Sequence, residues 1–246
     1  MRSNILANSH HWRGCVFLNI IIFANGVLEN PAREVARWLR PGDCVIAADG
    51  GTRHALTAGI VPAHIIGDLD SLPPGQRADL ERQGTVFHPH PPAKDETDLE
   101  LALLWAAASG KKQDASDKHP TSCIIVLGAL GGRPDQAFAN LLLLALPALV
   151  AHTVIIADGA WTIRCLHGGQ THTLYGTPGD TLSLIPLNGP AIGIHTTGLA
   201  YPLHDETLHV GPARGVSNAF TAEQATVALQ QGTLWCFHET QPKAES

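Results

Sequence analysis

The chain has 246 residues, 44% of them hydrophobic, with 16 lysines and arginines against 22 aspartates and glutamates. That length supports one large domain or two modest ones around a substantial core. A net charge of -6 and scattered basic residues leave no positive stripe to follow a phosphodiester backbone, so nucleic acid is not expected as a partner.

Residues 1–15 show no periodicity and are expected to form a disordered or loosely attached extension. Residues 16–28 are apolar but too short to span a bilayer, and Asn19, Asn25 and Gly26 break them, so a buried strand at 17–23 is expected. Further strands are expected at 44–48, 64–66, 85–88, 122–127 and 153–156. Helices alternate with them at 31–39, stopped by Pro41-Gly42, at 51–58, ended by Gly59, and at 97–109, ended by Gly110. Thr97 is placed to cap the last of these, with Glu100 completing a capping box and Asp98 in the first turn, where the helix dipole favours an anion.

A polar stretch at 111–121 reads as a surface loop. Residues 141–157 are apolar, yet Pro147 and His152 interrupt them, so a helix followed by a strand fits better than a membrane span. Near residues 158–165 the pattern changes to short segments punctuated by glycine and proline: TIRCLH, THTLY, TLSLIPL, AIGIHT, ETLHVG and TLWCFHE. The expected architecture is therefore an open, Rossmann-like α/β sheet over residues 16–160, with helices on both faces, followed by a β-sandwich over 161–246. Cys15, Cys44, Cys123, Cys165 and Cys236 are odd in number and lack any CxxC pair, which points to reduced thiols in a cytoplasm rather than zinc or disulfides.

Acidic residues cluster where strands end. IIGDLDS places Asp68 and Asp70 on either side of Leu69, and KDETD places Asp95 and Asp98 around a helix start with Lys94 as a countercharge. Two carboxylates about 4 Å apart repel by roughly 4 kcal/mol at the effective dielectric of a protein surface, so converging acids imply a cation. Oxygen-only ligands favour magnesium, which usually also holds phosphate. Asp49 precedes Gly50 and Gly51 at another strand end, and Gly128, Gly131 and Gly132 lead into Arg133, a combination suited to polyphosphate. It is not a Walker A loop, since the G-x-x-x-x-G-K-[ST] spacing is absent.

Each element also has a plainer reading. ADGG occurs as an ordinary turn, Asp-x-Asp as a solvated or Asx-turn, and Lys94 with Asp95 or Arg133 with Asp135 as surface ion pairs. Four such elements at four strand ends of one sheet favour a site. His88, His90, His167, His172, His204 and His209 show no metal-ligand spacing and read as surface or core residues; Trp105 reads as core, while Trp161 and Trp235 stay open.

With these residues in view, the chain resembles the thiamine pyrophosphokinase family. The motifs are ANG at 24–26, ADGG at 48–51, PAHIIGDLDS at 62–71, KDETDLELAL at 94–103, GALGGRPDQ at 128–136, TTGLAYPL at 196–203 and GVSN at 215–218, in family order. The resemblance implies transfer of the diphosphate of ATP to the hydroxyethyl group of thiamine, giving thiamine diphosphate and AMP. It implies that the α/β domain binds ATP and magnesium, that the sandwich binds thiamine, and that a homodimer forms active sites between subunits. By motif, Asp68, Asp70 and Asp98 are the magnesium-handling acids and, with Arg133, the catalytic group. Asn25, Asp49, Gly50, Gly51, Asp95, Thr97, Gly131, Gly132, Arg133 and Asp135 fall on the nucleotide side. Ser217, Asn218 and Tyr201, together with Asp98, fall on the thiamine side. Many members carry histidine where this chain has Gln136, so no catalytic role is assigned there. Rival readings are a pterin diphosphokinase, an Asp-x-Asp nucleotide-sugar transferase and a nucleotide sensor without catalysis. GVSN and GLAYPL speak against the first two, and the intact acids against the third.

Overall fold

The computed structural model describes residues 19–110 and 123–240. The expected extension at 1–15, the start of the first strand and the loop at 111–121 lie outside the described residues. Six parallel strands form the first half: β1 (Ile20–Phe23), β2 (Cys44–Ala48), β3 (His64–Gly67), β4 (Val86–Pro89), β5 (Ile124–Leu127) and β6 (Val154–Asp158). Their order in space is β4-β3-β2-β1-β5-β6, so the direction of winding reverses between β1 and β5. Between them run α1 (Pro31–Trp38), α2 (Thr52–Thr57), α3 (Pro74–Arg82), α4 (Asp98–Gly110) and α5 (Pro134–Leu143).

Strand periodicity distributes the core. Ile20, Ile22, Ile46, Ile66, Ile124 and Val126 face Leu99, Ala102, Leu103 and Ala106 of α4 on one side. Ile21, Phe23, Val45, Ile125 and Leu127 face Trp38 of α1 and Ala55 of α2 on the other, with Leu80 of α3 packed nearby on Ala47 and Ile65. Both faces are buried, which is why these strands are continuous apolar runs rather than alternating ones. Cutting Phe23, which is fully buried, back to alanine would cost about 3–5 kcal/mol.

The helix ends follow their caps. Asn30 Oδ1 accepts from the Arg33 amide at 3.0 Å ahead of Pro31, and Thr97 Oγ1 accepts from the Glu100 amide at 3.2 Å ahead of Asp98. Helix α3 was not anticipated from the sequence: PGQRADLER is polar nearly all round, and Leu80 is its buried anchor.

No linker separates the two halves. A turn at Gly159 folds β6 back into β7 (Trp161–His167), antiparallel, and the sheet continues through β13 (Gln231–Glu239) to β9 (Thr181–Thr197). Sequence reading expected two strands within β9, because Asn188-Gly189-Pro190 has the composition of a turn. The chain instead runs on as one 17-residue strand, with Asn188 and Gly189 at positive φ where the register against β13 shifts. Its first part pairs with β13 and with β11 (Asn218–Ala219). Its second part leaves that layer to pair with β10 (His204–Leu208) and β12 (Gln224–Ala228), which in turn pairs with β8 (Thr171–Tyr175). Leu166, Leu182, Leu184, Ile194, Leu208 and Val227 fill the space between the layers of this antiparallel β region.

Candidate active site

The acids gather along the carboxyl rim of the parallel sheet. Beyond β2 the chain turns through a single 3-10 turn, Asp49–Gly51, with Asp49 at φ 37°. That turn presses against the end of β1, and a Cβ on Gly50 would lie 2.5 Å from the Asn25 side chain. Asn25 itself is exposed at the rim, so the ANG and ADGG segments interlock there.

Gly67, at φ 149°, ends β3 and opens the acidic turn. A Cβ there would stand 2.7 Å from Asp49 Cβ and 2.9 Å from Asp98 Oδ1, so glycine lets three acid-bearing segments meet. After it, Leu69 sits at φ 64° and the Asp70 amide points at Asp68 Oδ1 over 3.5 Å. One carboxylate oxygen from each of Asp49, Asp68 and Asp70 falls within 4.8 Å of the others. Asp49 is buried, and its Oδ1 accepts no hydrogen bond among the described residues. Burial first, then the charges of Asp98, Asp68 and Asp70, push its carboxyl above the usual range, against the opposing pull of the Ser71 hydroxyl. Ser71 had not been singled out from the sequence, although it closes the IIGDLDS motif.

Asp98 stands across Gly67 from this trio, in the first turn of α4, with Lys94 Nζ 2.9 Å from its Oδ1. The ion pair of Lys94 is therefore with Asp98 and not with Asp95, which is exposed on the preceding loop. Thr97 uses its hydroxyl as the α4 cap. After β5, Gly131 and Gly132 carry the chain past Val27 at positive φ. Arg133 follows them and is exposed. Its guanidinium donates to Asp135 side-on through one edge, Nε lying 3.2 Å from Oδ1 and Nη2 donating to Oδ2. That pairing raises the guanidinium and lowers the carboxyl from their ordinary values.

Residues expected on the vitamin side sit elsewhere, in the β region. Ser217 is at φ 62° and its amide donates to Ser183 Oγ at 3.0 Å. Asn218 Oδ1 accepts from the Tyr201 amide at 3.0 Å while its Nδ2 donates to the Tyr201 carbonyl at 2.7 Å, so the carboxamide ties GLAYPL to GVSN. The Tyr201 side chain is 73% exposed beside it. Trp105 packs its ring on His64 and His88, and Trp235 is buried edge-on to Phe138.

A family model described as thiamin pyrophosphokinase, catalytic domain, matches residues 35–160, and one described as thiamin pyrophosphokinase, vitamin B1 binding domain, matches residues 171–234. The chain belongs to the thiamin pyrophosphokinase family. A Bacillus subtilis thiamine pyrophosphokinase is 28% identical over 195 residues, 79% of this chain and 86% of that protein. Thiamine pyrophosphokinase 2 of Oryza sativa subsp. japonica is 30% identical over 179 residues, 71% of this chain and 64% of that longer protein. Among solved structures, thiamine pyrophosphokinase from Bacillus subtilis superposes with a TM-score of 0.75 at 26% identity, covering 91% of this chain and all of that one. Thiamin pyrophosphokinase from Candida albicans, at 17% identity, shares the fold with a TM-score of 0.71 over 90% of this chain and 89% of its own. The acid cluster lies in the part matching the catalytic model, and the Ser217–Asn218–Tyr201 knot lies in the part matching the vitamin-binding one. Among the described residues no helix is long and apolar enough to cross a membrane.

Proposed function

We propose that this protein is a thiamine pyrophosphokinase enzyme that moves the diphosphate of ATP onto the hydroxyethyl oxygen of thiamine, releasing AMP. The observation that carries the reading is the oxygen cluster of Asp49, Asp68 and Asp70, which includes a buried oxygen without a hydrogen-bond donor, inside the stretch matched by the catalytic-domain model. Hard oxygen donors at this spacing fit magnesium, and an unpartnered buried carboxylate oxygen is costly unless a cation completes it. Asp49, Asp68 and Asp70 would hold the ion, with Asp98 next to them. Bound there, magnesium supplies neutralisation of phosphate charge.

The protein side of the reaction is orientation and proton handling. Attack of the thiamine hydroxyl oxygen on the β-phosphorus forms one P–O bond and breaks the bond to the α-phosphate oxygen, with AMP leaving. Asp98, oriented by Lys94, accepts the hydroxyl proton. Arg133 offers a planar donor fork to the phosphates once it exchanges Asp135 for them, and the Gly131 and Gly132 amides lie alongside. Ser217, Asn218 and Tyr201 receive the vitamin.

A second copy of the chain completes the site in this reading. From β2, which carries Asp49, to β9, which carries Ser183 under Ser217, the sheet order counts six inter-strand steps, on the order of 30 Å at about 4.8 Å each. Acids and vitamin-side residues of one chain are too far apart to share a thiamine. Helix α5 offers a contact face: none of its residues is buried, and Phe138 and Leu142, one turn apart, are 56% and 39% exposed. Among the described residues Cys44, Cys123, Cys165 and Cys236 form no disulfide, and burial pushes the Cys165 and Cys236 thiols up to about 12, which supports a reducing cytoplasm.

ATP labelled at the β-phosphate, incubated with magnesium, thiamine and the protein, tests the reaction. Label should enter thiamine diphosphate in step with AMP release. Formation of ADP and thiamine monophosphate, or no label transfer, would refute the reading.

A further inference from the structure

A buried carboxylate–imidazole pair lies in the β region, apart from every group the reaction uses. Asp180 leads into β9 and His238 sits on β13, their side chains 1% and 6% exposed. His238 Nε2 is 3.2 Å from Asp180 Oδ2, which also accepts from the Thr177 amide at 2.9 Å, while Oδ1 accepts from the Thr177 hydroxyl at 3.0 Å. A carboxylate only accepts, so the imidazole donates through Nε2. The chain closes tightly over the pair: a Cβ on Gly176 would stand 2.6 Å from Asp180 Oδ2, 3.0 Å from His238 Nε2 and 3.2 Å from Phe220 Cε1. Leu182, directly across from His238 on β9, and Phe220 belong to the apolar core of this region. Apolar residues of like volume would serve stability there as well or better, so stability alone does not account for the pair.

What the pair touches is the segment that follows Asn218. Phe220 lays its ring on the His238 imidazole, centroids 4.8 Å apart and planes at 22°. Its amide donates to the Asp180 carbonyl at 2.9 Å, and its carbonyl accepts from the Gly179 amide at 2.9 Å. Asn218 and Ala219 extend the same ladder along Leu182 and Thr181. From the other side the Ala219 carbonyl accepts from the Ala200 amide at 2.8 Å, and the Thr221 amide donates to the Gly198 carbonyl at 2.9 Å. Residues 218–221 are thus the middle of a ribbon between 180–182 and the GLAY stretch at 198–201. Asn218, which holds Tyr201, is two residues from the ring that His238 supports. A misplacement of about 1 Å can cost on the order of 100-fold, so whatever seats Phe220 governs what Asn218 can hold.

We propose that Asp180 and His238 are positioning residues for the vitamin side: by seating Phe220 they fix where Asn218 and Tyr201 stand, and so set thiamine affinity without touching thiamine. This rests on Ser217, Asn218 and Tyr201 receiving the vitamin, as proposed above. Initial rates with thiamine varied at saturating ATP and magnesium, and the converse, are read beside calorimetric binding of thiamine in the presence of magnesium and α,β-methylene-ATP. His238→Ala should raise both the KM and the dissociation constant for thiamine roughly tenfold or more, while kcat and the KM for ATP stay within about twofold. His238→Gln, which returns a donor near the place of Nε2, should recover most of that loss. A pair that only holds the fold together would lower the thermal midpoint and leave the thiamine KM where it was. If His238→Ala does not fold, Phe220→Leu keeps an apolar side chain in the core, removes the stacked ring and should by itself raise the thiamine KM roughly fivefold. Unchanged thiamine affinity in the folded variant overturns the proposal, and so does a loss shared equally with ATP. Wild-type protein that binds thiamine but forms no thiamine diphosphate would refute the reaction and leave the pair to be decided by the binding of the variants; wild-type protein that binds no thiamine overturns it.

Discussion

Lys94, in the loop ahead of α4, places its ammonium 2.9 Å from Asp98 at the start of that helix, both side chains being largely shielded, at 12% and 29% exposure. Hydrogen bonding to Asp98, together with the charges of Asp98, Asp68 and Asp49, raises the Lys94 ammonium above its ordinary range. It is therefore a fixed positive charge at the edge of the acid cluster. Lys94→Met removes that charge, so divalent-ion affinity should rise while turnover drops roughly tenfold or more because Asp98 loses its orientation. Manganese titration followed by spin resonance, paired with initial rates, reads both. An unchanged pair of values would show that Lys94 is a bystander.

Asp49 carries the opposite problem, since burial and three neighbouring acids hold its carboxyl above the usual range. A folded-state pKa above the unfolded one means that stability falls as pH rises from the unfolded value through the folded one. Asp49→Asn removes that penalty with almost no change in shape. In metal-free buffer at pH 8 the variant should unfold at a higher urea concentration than the wild type, while its turnover falls roughly 100-fold or more. A variant that is less stable at pH 8 would contradict the assigned strain.

Gly67→Ala tests the meeting point of the acid segments. The new methyl would have to displace Asp49 or Asp98 in a backbone conformation that L residues avoid, at a cost of about 1–3 kcal/mol. Gly75, within α3, has open space around it, and Gly75→Ala should be neutral or stabilising by about 0.4–1 kcal/mol. Urea unfolding of the two variants should separate them in that order, with activity lost in the first alone.

Arg133 and Asp135 pair in full exposure, so the pair contributes little to the fold. Arg133→Ala should leave the thermal midpoint unchanged and lower kcat/KM for ATP roughly 100-fold. Arg133→Lys should not restore it, because an ammonium lacks the two-pronged geometry. Full activity in the lysine variant would reduce Arg133 to a point charge.

His172 on β8 gives a pH signature to the β region. Burial, then the nearby Arg164 and His167, depress its imidazole from 6.5 to about 4. The folded protein thus resists protonation that the unfolded chain accepts, so this stability is complete above pH 6.5 and lost as pH falls from 6.5 through about 4. Urea midpoints measured across that range should fall more steeply for the wild type than for His172→Gln. Parallel curves would place the acid sensitivity elsewhere.

Much of the fold was legible because its signals are local. Runs such as Ile20–Phe23 are apolar throughout, as doubly covered strands must be, and the ADGG and IIGDLDS motifs each follow such a run beside a glycine. The α/β half, the antiparallel β half and the family all followed from such segments. What stayed hidden depends on partners distant in sequence. Helix α3 is polar and takes its place from the single buried Leu80, and β9 continues through Asn188-Gly189 because β13 slips register beside it. Within the candidate site, Asp68 and Asp70 announce themselves by spacing. The tightest oxygen trio instead joins them to Asp49, from another strand, and leaves Asp98 one step away against Lys94.

The most direct test is anomalous diffraction from crystals grown with manganese and a non-hydrolysable ATP analogue. A strong peak coordinated by carboxylate oxygens of Asp49, Asp68 and Asp70 and by phosphate oxygens of the analogue is the expected result. Manganese and phosphates bound elsewhere, with those three carboxylates turned to solvent, would contradict the account.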